Sequence, residues 1–110
     1  MARKSALETL KRDNLLVDII FQHKGKSNAI GTKEIVQLLT EKGYEMRADI
    51  LHQTIRRVVT ERRLPICSVC HHGYYWATSK KDVQNAIDDL QGKIQGLQER
   101  IDLLKNFIYE

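Results

Sequence analysis

The last third of the chain carries an unbroken heptad seam. Val83, Ile87, Leu90, Ile94, Leu97, Ile101, Leu104 and Ile108 follow one another in alternating steps of four and three. That spacing puts Ile87, Ile94, Ile101 and Ile108 at a, and Val83, Leu90, Leu97 and Leu104 at d. β-branched Ile at a with Leu at d packs best in a two-stranded parallel coiled coil. The spacing therefore predicts a dimerisation helix over 79–110, and whatever precedes it is a module delivered in two copies.

The outer positions add little to the pairing. Lys93 and Arg100 at g face Gln98 and Lys105 at e of a parallel partner, which supplies no attraction. Gly92 and Gly96 each weaken the helix by about 1 kcal/mol relative to Ala. They fall at f and c, away from the seam, and do not break it. A rival arrangement lays the first helix along the same seam within one chain, because Leu7, Leu10, Val17 and Phe21 form a stripe of their own.

A chain of 110 residues has room for one small domain plus this helix, not for two cores. The net charge of +4 is unevenly placed. Residues 1–66 carry 13 Lys/Arg against 8 Asp/Glu, whereas residues 67–110 carry 5 against 6. Positive charge concentrated on the N-terminal module suggests an anionic partner there, and nucleic acid is the usual one. The basic start, Met1-Ala2-Arg3-Lys4-Ser5, is followed by no apolar signal core. No run approaches the ~18 apolar residues that span a membrane. Together with only two cysteines, this sets the expectation of a cytoplasmic protein with reduced thiols and no membrane partner.

Residues 5–22 read as a helix: Leu7, Leu10, Leu15, Leu16, Ile19 and Ile20 have helical spacing, with no Gly or Pro among them. Residues 23–28 are polar and turn-forming. A second helix opens at Thr32, expected as its N-cap, buries Ile35, Val36, Leu38 and Leu39, and stops at Gly43. After a short connector a third helix is expected over 48–62. At 100° per residue Leu51, Ile55, Val58 and the Arg62 stem share one face, while Asp49, Gln53, Arg56 and Thr60 share the opposite one, flanked by His52, Arg57 and Arg63. Residues 64–69 and 74–77 read as two strands joined through Gly73. Alternation separates Tyr75 from Tyr74 and Trp76, and Trp76 is expected in the core. Ser79 is placed to cap the terminal helix, with Asp82 completing a capping box.

Helix, helix, short turn, helix, hairpin is also the order of a winged helix-turn-helix. The chain resembles that superfamily in Thr32…Ile35…Leu39, in Leu51…Ile55…Val58, and in Leu64-Pro65-Ile66…Gly73-Tyr74-Tyr75-Trp76-Ala77. The likeness is to the small winged-helix proteins of bacteria and their phages, and it covers roughly residues 7–78. It implies DNA binding through the third helix, with the hairpin touching the backbone or minor groove, and points to a phage or mobile-element origin.

A helix fits the major groove, where outward side chains reach base edges. Arg56 and Arg57 suit guanine and Gln53 suits adenine. Thr60 and His52 suit phosphate, and Lys33 and Lys26 suit backbone positioning. Arg47 and Arg63 extend the basic surface at the two ends of this helix. Asp49 and Glu61 repel phosphate, so the reading surface is narrow. The competing view is that these are solvated residues of a surface helix.

Cys67-Ser68-Val69-Cys70-His71-His72 matches a C-x-x-C-H haem-attachment pattern and also offers four zinc donors. Covalent haem requires export, and adjacent His71 and His72 hardly turn to one metal from a tight hairpin. Cys67 is read instead as a small strand residue, with Cys70, His71 and His72 at the wing tip, where the imidazoles lie near phosphates. No metal or other cofactor is expected. No nucleophile with a base, acid/base pair or phosphate loop occurs at meaningful spacing, so no catalytic residue is assigned and no enzyme is expected.

The expectation is thus a mainly α protein with a small β-hairpin. Residues 1–78 form a winged helix-turn-helix DNA-binding domain, and residues 79–110 a long coiled-coil helix that joins a homodimer. Its partner is double-stranded DNA and its role transcription regulation. The alternatives are an assembly adaptor, whose winged helix binds protein while the coiled coil sets stoichiometry, and a metal or redox sensor at Cys67 and Cys70.

Overall fold

The computed structural model describes residues 6–69 and 73–109. In chain order they form α1 (Ala6–Phe21), a 3-10 turn (Lys26–Asn28), α2 (Thr32–Glu41), α3 (Ala48–Arg62), β1 (Ile66–Val69), β2 (Gly73–Trp76) and α4 (Lys80–Tyr109). The protein is mainly helical, with one antiparallel hairpin and a long C-terminal helix. Its contacts divide it into two compact units, Met1–Thr78 and Ser79–Glu110. Cys70, His71 and His72 lie outside the described residues.

The core of the first unit draws on every helix before the hairpin. Leu16 and Ile20 of α1, Ile35 and Leu39 of α2, and Leu51 and Ile55 of α3 are buried together with Ile30 and Met46 from the connectors. Each such side chain contributes about 1.5–3 kcal/mol by leaving water. The face of α1 that reaches this core runs through Asp13, Leu16 and Ile20, so Leu7, Leu10 and Phe21 stay exposed.

Two departures from expectation lie in the α2 region and the hairpin. Thr32 is the first helical residue and not the cap; extended Gly31 precedes it, with no side-chain cap hydrogen bond. The reason is upstream: Ile30 is fixed to Tyr74 through both its N–H (2.8 Å) and its C=O (2.9 Å), and the Gly31 carbonyl then accepts the first helical bond from Ile35 (3.1 Å). At the other end Gly43, at φ 89°, makes the stop. Its N–H donates to the Thr40 carbonyl (3.0 Å) and the Tyr44 N–H to that of Leu39 (2.9 Å), the paired bonds of a Schellman ending. The connector that follows buries Met46 and delivers the chain into α3.

β1 and β2 pair with Ile66 opposite Trp76, Cys67 opposite Tyr75, Ser68 opposite Tyr74 and Val69 opposite Gly73. The free edge of β2 is taken up by the segment between α1 and α2. Ile30 bridges Tyr74, while Gly25 and His23 bond the Trp76 carbonyl (2.9 Å) and N–H (2.8 Å). β2 is therefore hydrogen-bonded on both sides. At Gly73 a Cβ would lie 1.8 Å from the Ile30 carbonyl oxygen, and φ is +115°, so only glycine fits. The core residue of this strand is Tyr75, 2% exposed. Trp76, expected in that place, is half-buried and packs edge-on against Phe21 at 4.9 Å between ring centroids. Alternation along the strand is real: Tyr75 is the fully buried residue, while Tyr74 on the other side packs against the core only partly buried.

The second unit is a single helix of 30 residues. Ser79 Oγ accepts the Asp82 N–H at 3.1 Å and caps its start. Gln84–Asp88 (2.9 Å) and Gln98–Asp102 (2.9 Å) pair at i,i+4 on its polar side. The eight a and d side chains remain open to solvent in the single chain, from 41% exposed at Val83 to 74% at Ile108. Leu103 and Phe107 add exposed apolar surface near its end. Among the described residues, no helix is long and apolar enough to cross a membrane.

Candidate nucleic-acid interface

α3 is amphipathic in the sense that matters here. Leu51, Ile55 and Val58 are buried against the core, and the side turned to solvent carries His52, Gln53, Arg56, Arg57 and Thr60, all exposed. Thr54 also lies on the buried side, where its hydroxyl donates to the Ile50 carbonyl at 2.8 Å and so carries no unmet donor inward. Gln53, Arg56, Arg57, Thr60 and Glu61 line a shallow open concavity on the outer face. Arg62, whose stem was expected to pack inward, is half-buried and donates to Asn14 Oδ1 of α1 at 2.8 Å.

The outward residues are not equivalent. Among the described residues, no hydrogen bond or ion pair occupies the side chain of Gln53 or Arg56, so both amide and guanidinium are available to a ligand. Arg57 is different. Its Nη2 donates to Asp13 Oδ2 at 2.7 Å and its Nη1 to Glu61 at 3.0 Å. The Asp13 hydrogen bond raises the guanidinium above its ordinary value, against the lowering that burial exerts. A side chain held this way is a brace between α3 and α1, which sets it apart from the base-reading role expected for it. Thr60 spends its one hydroxyl proton on the Arg56 carbonyl (2.9 Å), leaving it only as an acceptor toward an incoming group.

Asp13 is the residue that sequence reasoning missed. Its side chain is 5% exposed, and Arg12 completes its shell at 3.2 Å. The signal was present: position 13 falls three before Leu16 and seven before Ile20, on the buried stripe, and a carboxylate there demands a cationic partner. Which cation answers it is a matter of where α3 packs.

The remaining candidates sit around this helix. Arg47 precedes α3 and pairs with Asp49 at 3.1 Å, both well exposed. Arg63 ends α3 in the left-handed conformation (φ 54°, ψ 56°), exposed, its N–H bonded to the Val59 carbonyl. Lys33 is exposed in the first turn of α2, and Lys26 is exposed at the start of the 3-10 turn. Nearby, the Lys24 ammonium lies 3.8 Å from the centroid of the Phe21 ring, a cation–π contact. His71 and His72 fall outside the described residues.

A second missed residue is Tyr74. Its hydroxyl is hydrogen-bonded to Nδ1 of His52, with the rings 5.6 Å apart between centroids, so the hairpin is tied directly to α3. Burial raises the Tyr74 hydroxyl above its usual value, while the nearby charge of Arg56 opposes that. Cys67, half-buried on β1, stands opposite Tyr75. Among the described residues, no three His, Cys, Asp or Glu side chains come together as a metal shell. Comparison with protein-family models, with curated proteins and with solved structures finds no match.

Proposed function

We propose that residues 1–78 act as a winged helix-turn-helix that binds double-stranded DNA. In this reading α3 enters the major groove, the hairpin lies beside it, and α4 joins two copies into a homodimer that regulates transcription in the cytoplasm. The observation that carries the reading is the outer face of α3. Gln53 and Arg56 are exposed with their side-chain amide and guanidinium unoccupied among the described residues, on a helix whose opposite face is locked into the core. These are the side chains that match adenine and guanine edges in that groove. The continuous aliphatic seam of α4 supports the dimer, because an exposed stripe of this extent marks a protein-binding surface.

The test is a binding selection from random duplexes, followed by titrations of the selected and a scrambled site at several salt concentrations. The expected site is an inverted repeat with half-sites about one helical turn, or a multiple of it, apart. Affinity should fall steeply with salt as counterions are released. Arg56→Ala should cost about 1–3 kcal/mol on the selected site and relax its specificity, whereas Lys33→Ala should weaken all sequences alike. Absence of salt-dependent duplex binding would replace this reading with the adaptor, in which the same unit binds protein.

A further inference from the structure

Tyr74 and His52 meet where β2 crosses to α3, and both are held from behind. The Tyr74 backbone is bonded on one side to Ile30 and paired on the other with Ser68 of β1, so its side chain projects from the most constrained strand of the fold. Its half-buried ring reaches His52, an exposed residue in the second turn of α3, and the hydroxyl engages Nδ1. Nε2 is left as the other polar edge of an exposed imidazole. Arg56 follows His52 by one helical turn, close enough for its charge to act on the Tyr74 hydroxyl. Two polar side chains from two elements therefore meet beside Arg56, next to the face assigned above to the major groove.

We propose that His52 and Tyr74, beside the base-reading Arg56, form a site for one phosphodiester oxyanion whose occupancy takes up a proton at His52. The inference rests on the DNA-binding reading and adds a ligand group and a linkage to it. With neutral imidazole, the Tyr74 O–H donates to Nδ1, and Nε2–H is the pair's single donor to an incoming oxygen. When a solvent proton adds at Nδ1, that N–H donates to the Tyr74 oxygen instead. The hydroxyl proton is then released to turn outward beside Nε2–H. Protonation thus raises the donors facing the anion from one to two and adds a positive charge.

The charged and titratable groups around His52 come from α3 and from the hairpin. Asp49, one turn earlier on α3, is paired with Arg47 at 3.1 Å. Arg56, one turn later on the same helix, is the other charged side chain beside the pair, and its charge acts on the Tyr74 hydroxyl. From the hairpin, Tyr74 faces His52, and its cross-strand neighbour Ser68 carries no charge. Histidine is the side chain whose charge changes near neutral pH, so the linkage falls in an accessible range.

The experiment measures the affinity of the full-length protein for its selected duplex from about pH 5.5 to 8, with His52→Gln as the comparison. His23, His71 and His72 remain in the variant, so the difference between the two profiles isolates His52. The expected result is an affinity that rises on acidification by up to about tenfold per pH unit for the proton taken up by each protomer. His52→Gln should lose that pH-dependent component, and because Nε2–H also goes, it should bind no more tightly than wild type at the alkaline end. Tyr74→Phe should bind less tightly at the acid end. Identical pH profiles for wild type and His52→Gln, with duplex binding intact, would overturn the site while leaving the DNA reading standing. No duplex binding by the wild type at any pH would overturn both.

Discussion

Removing the Asp13 carboxylate tests whether the Arg57 brace is structural. Asp13→Ala deletes a side chain that is 5% exposed and accepts from Arg57 at 2.7 Å and from Arg12 at 3.2 Å. Breaking a fully buried pair by removing one partner costs about 3–5 kcal/mol. Here the two cations are unequally buried. Arg12 is 14% exposed and is left with a charge it cannot fully hydrate, whereas Arg57 is 40% exposed and regains water. The Arg57 share therefore shrinks toward the roughly 0.2–1 kcal/mol of exposed pairs. The stranded Arg12 loses a charge-assisted hydrogen bond of about 1.5–3 kcal/mol. The expected loss is about 2–3 kcal/mol, or roughly 10–20 °C in Tm for a unit of this size. Urea and thermal melts at one fixed protein concentration read it, because self-association of the kind proposed would make the melting point depend on concentration. A double-mutant cycle with Arg57→Ala should give a coupling of about 0.5–1 kcal/mol. Arg57→Ala should itself lower stability more than it lowers sequence discrimination, the reverse of Arg56→Ala. A loss below about 0.5 kcal/mol for Asp13→Ala, the level of an ordinary surface substitution, would refute the brace.

Three further outcomes follow from other parts of the molecule. Gly73→Ala must displace the Ile30 carbonyl and adopt a strained φ, so Ile30 and the entry to α2 should loosen, lowering stability by more than about 1 kcal/mol in a denaturant melt; a variant as stable as wild type would contradict the close approach. Tyr74 has its ionisation raised by burial, so the folded state holds the proton more tightly than the unfolded chain. Its contribution is complete below about pH 10 and is lost as pH rises through the folded value, an alkaline loss that Tyr74→Phe should abolish in melts taken across that range. Replacing Leu97 and Ile101 together with Asp places charge in the seam, and the variant should sediment as a monomer with the first unit still folded; a wild type that is itself monomeric at tens of micromolar would end the dimer proposal.

The sequence by itself determined the order of elements, because helix and strand periods and their stops are local. Gly43 ends α2 with the Schellman bonds its position suggests, α3 runs over Ala48–Arg62, and Ser79 caps α4. The inward face of α3 was equally legible, since Leu51, Ile55 and Val58 recur at helical spacing and only burial accounts for them. What only the tertiary structure decided is which side of an ambiguous element faces in, and which polar groups meet. Tyr75 rather than Trp76 is fully buried, a choice that alternation along β2 leaves open and that packing against the rest of the unit makes. The tie from Asp13 to Arg57 spans 44 positions, and that from His52 to Tyr74 spans 22. No local propensity encodes such pairs. They arise when the packing of apolar faces brings α1, α3 and the hairpin together, and the charges and hydroxyls at those junctions must then find partners or remain exposed to water.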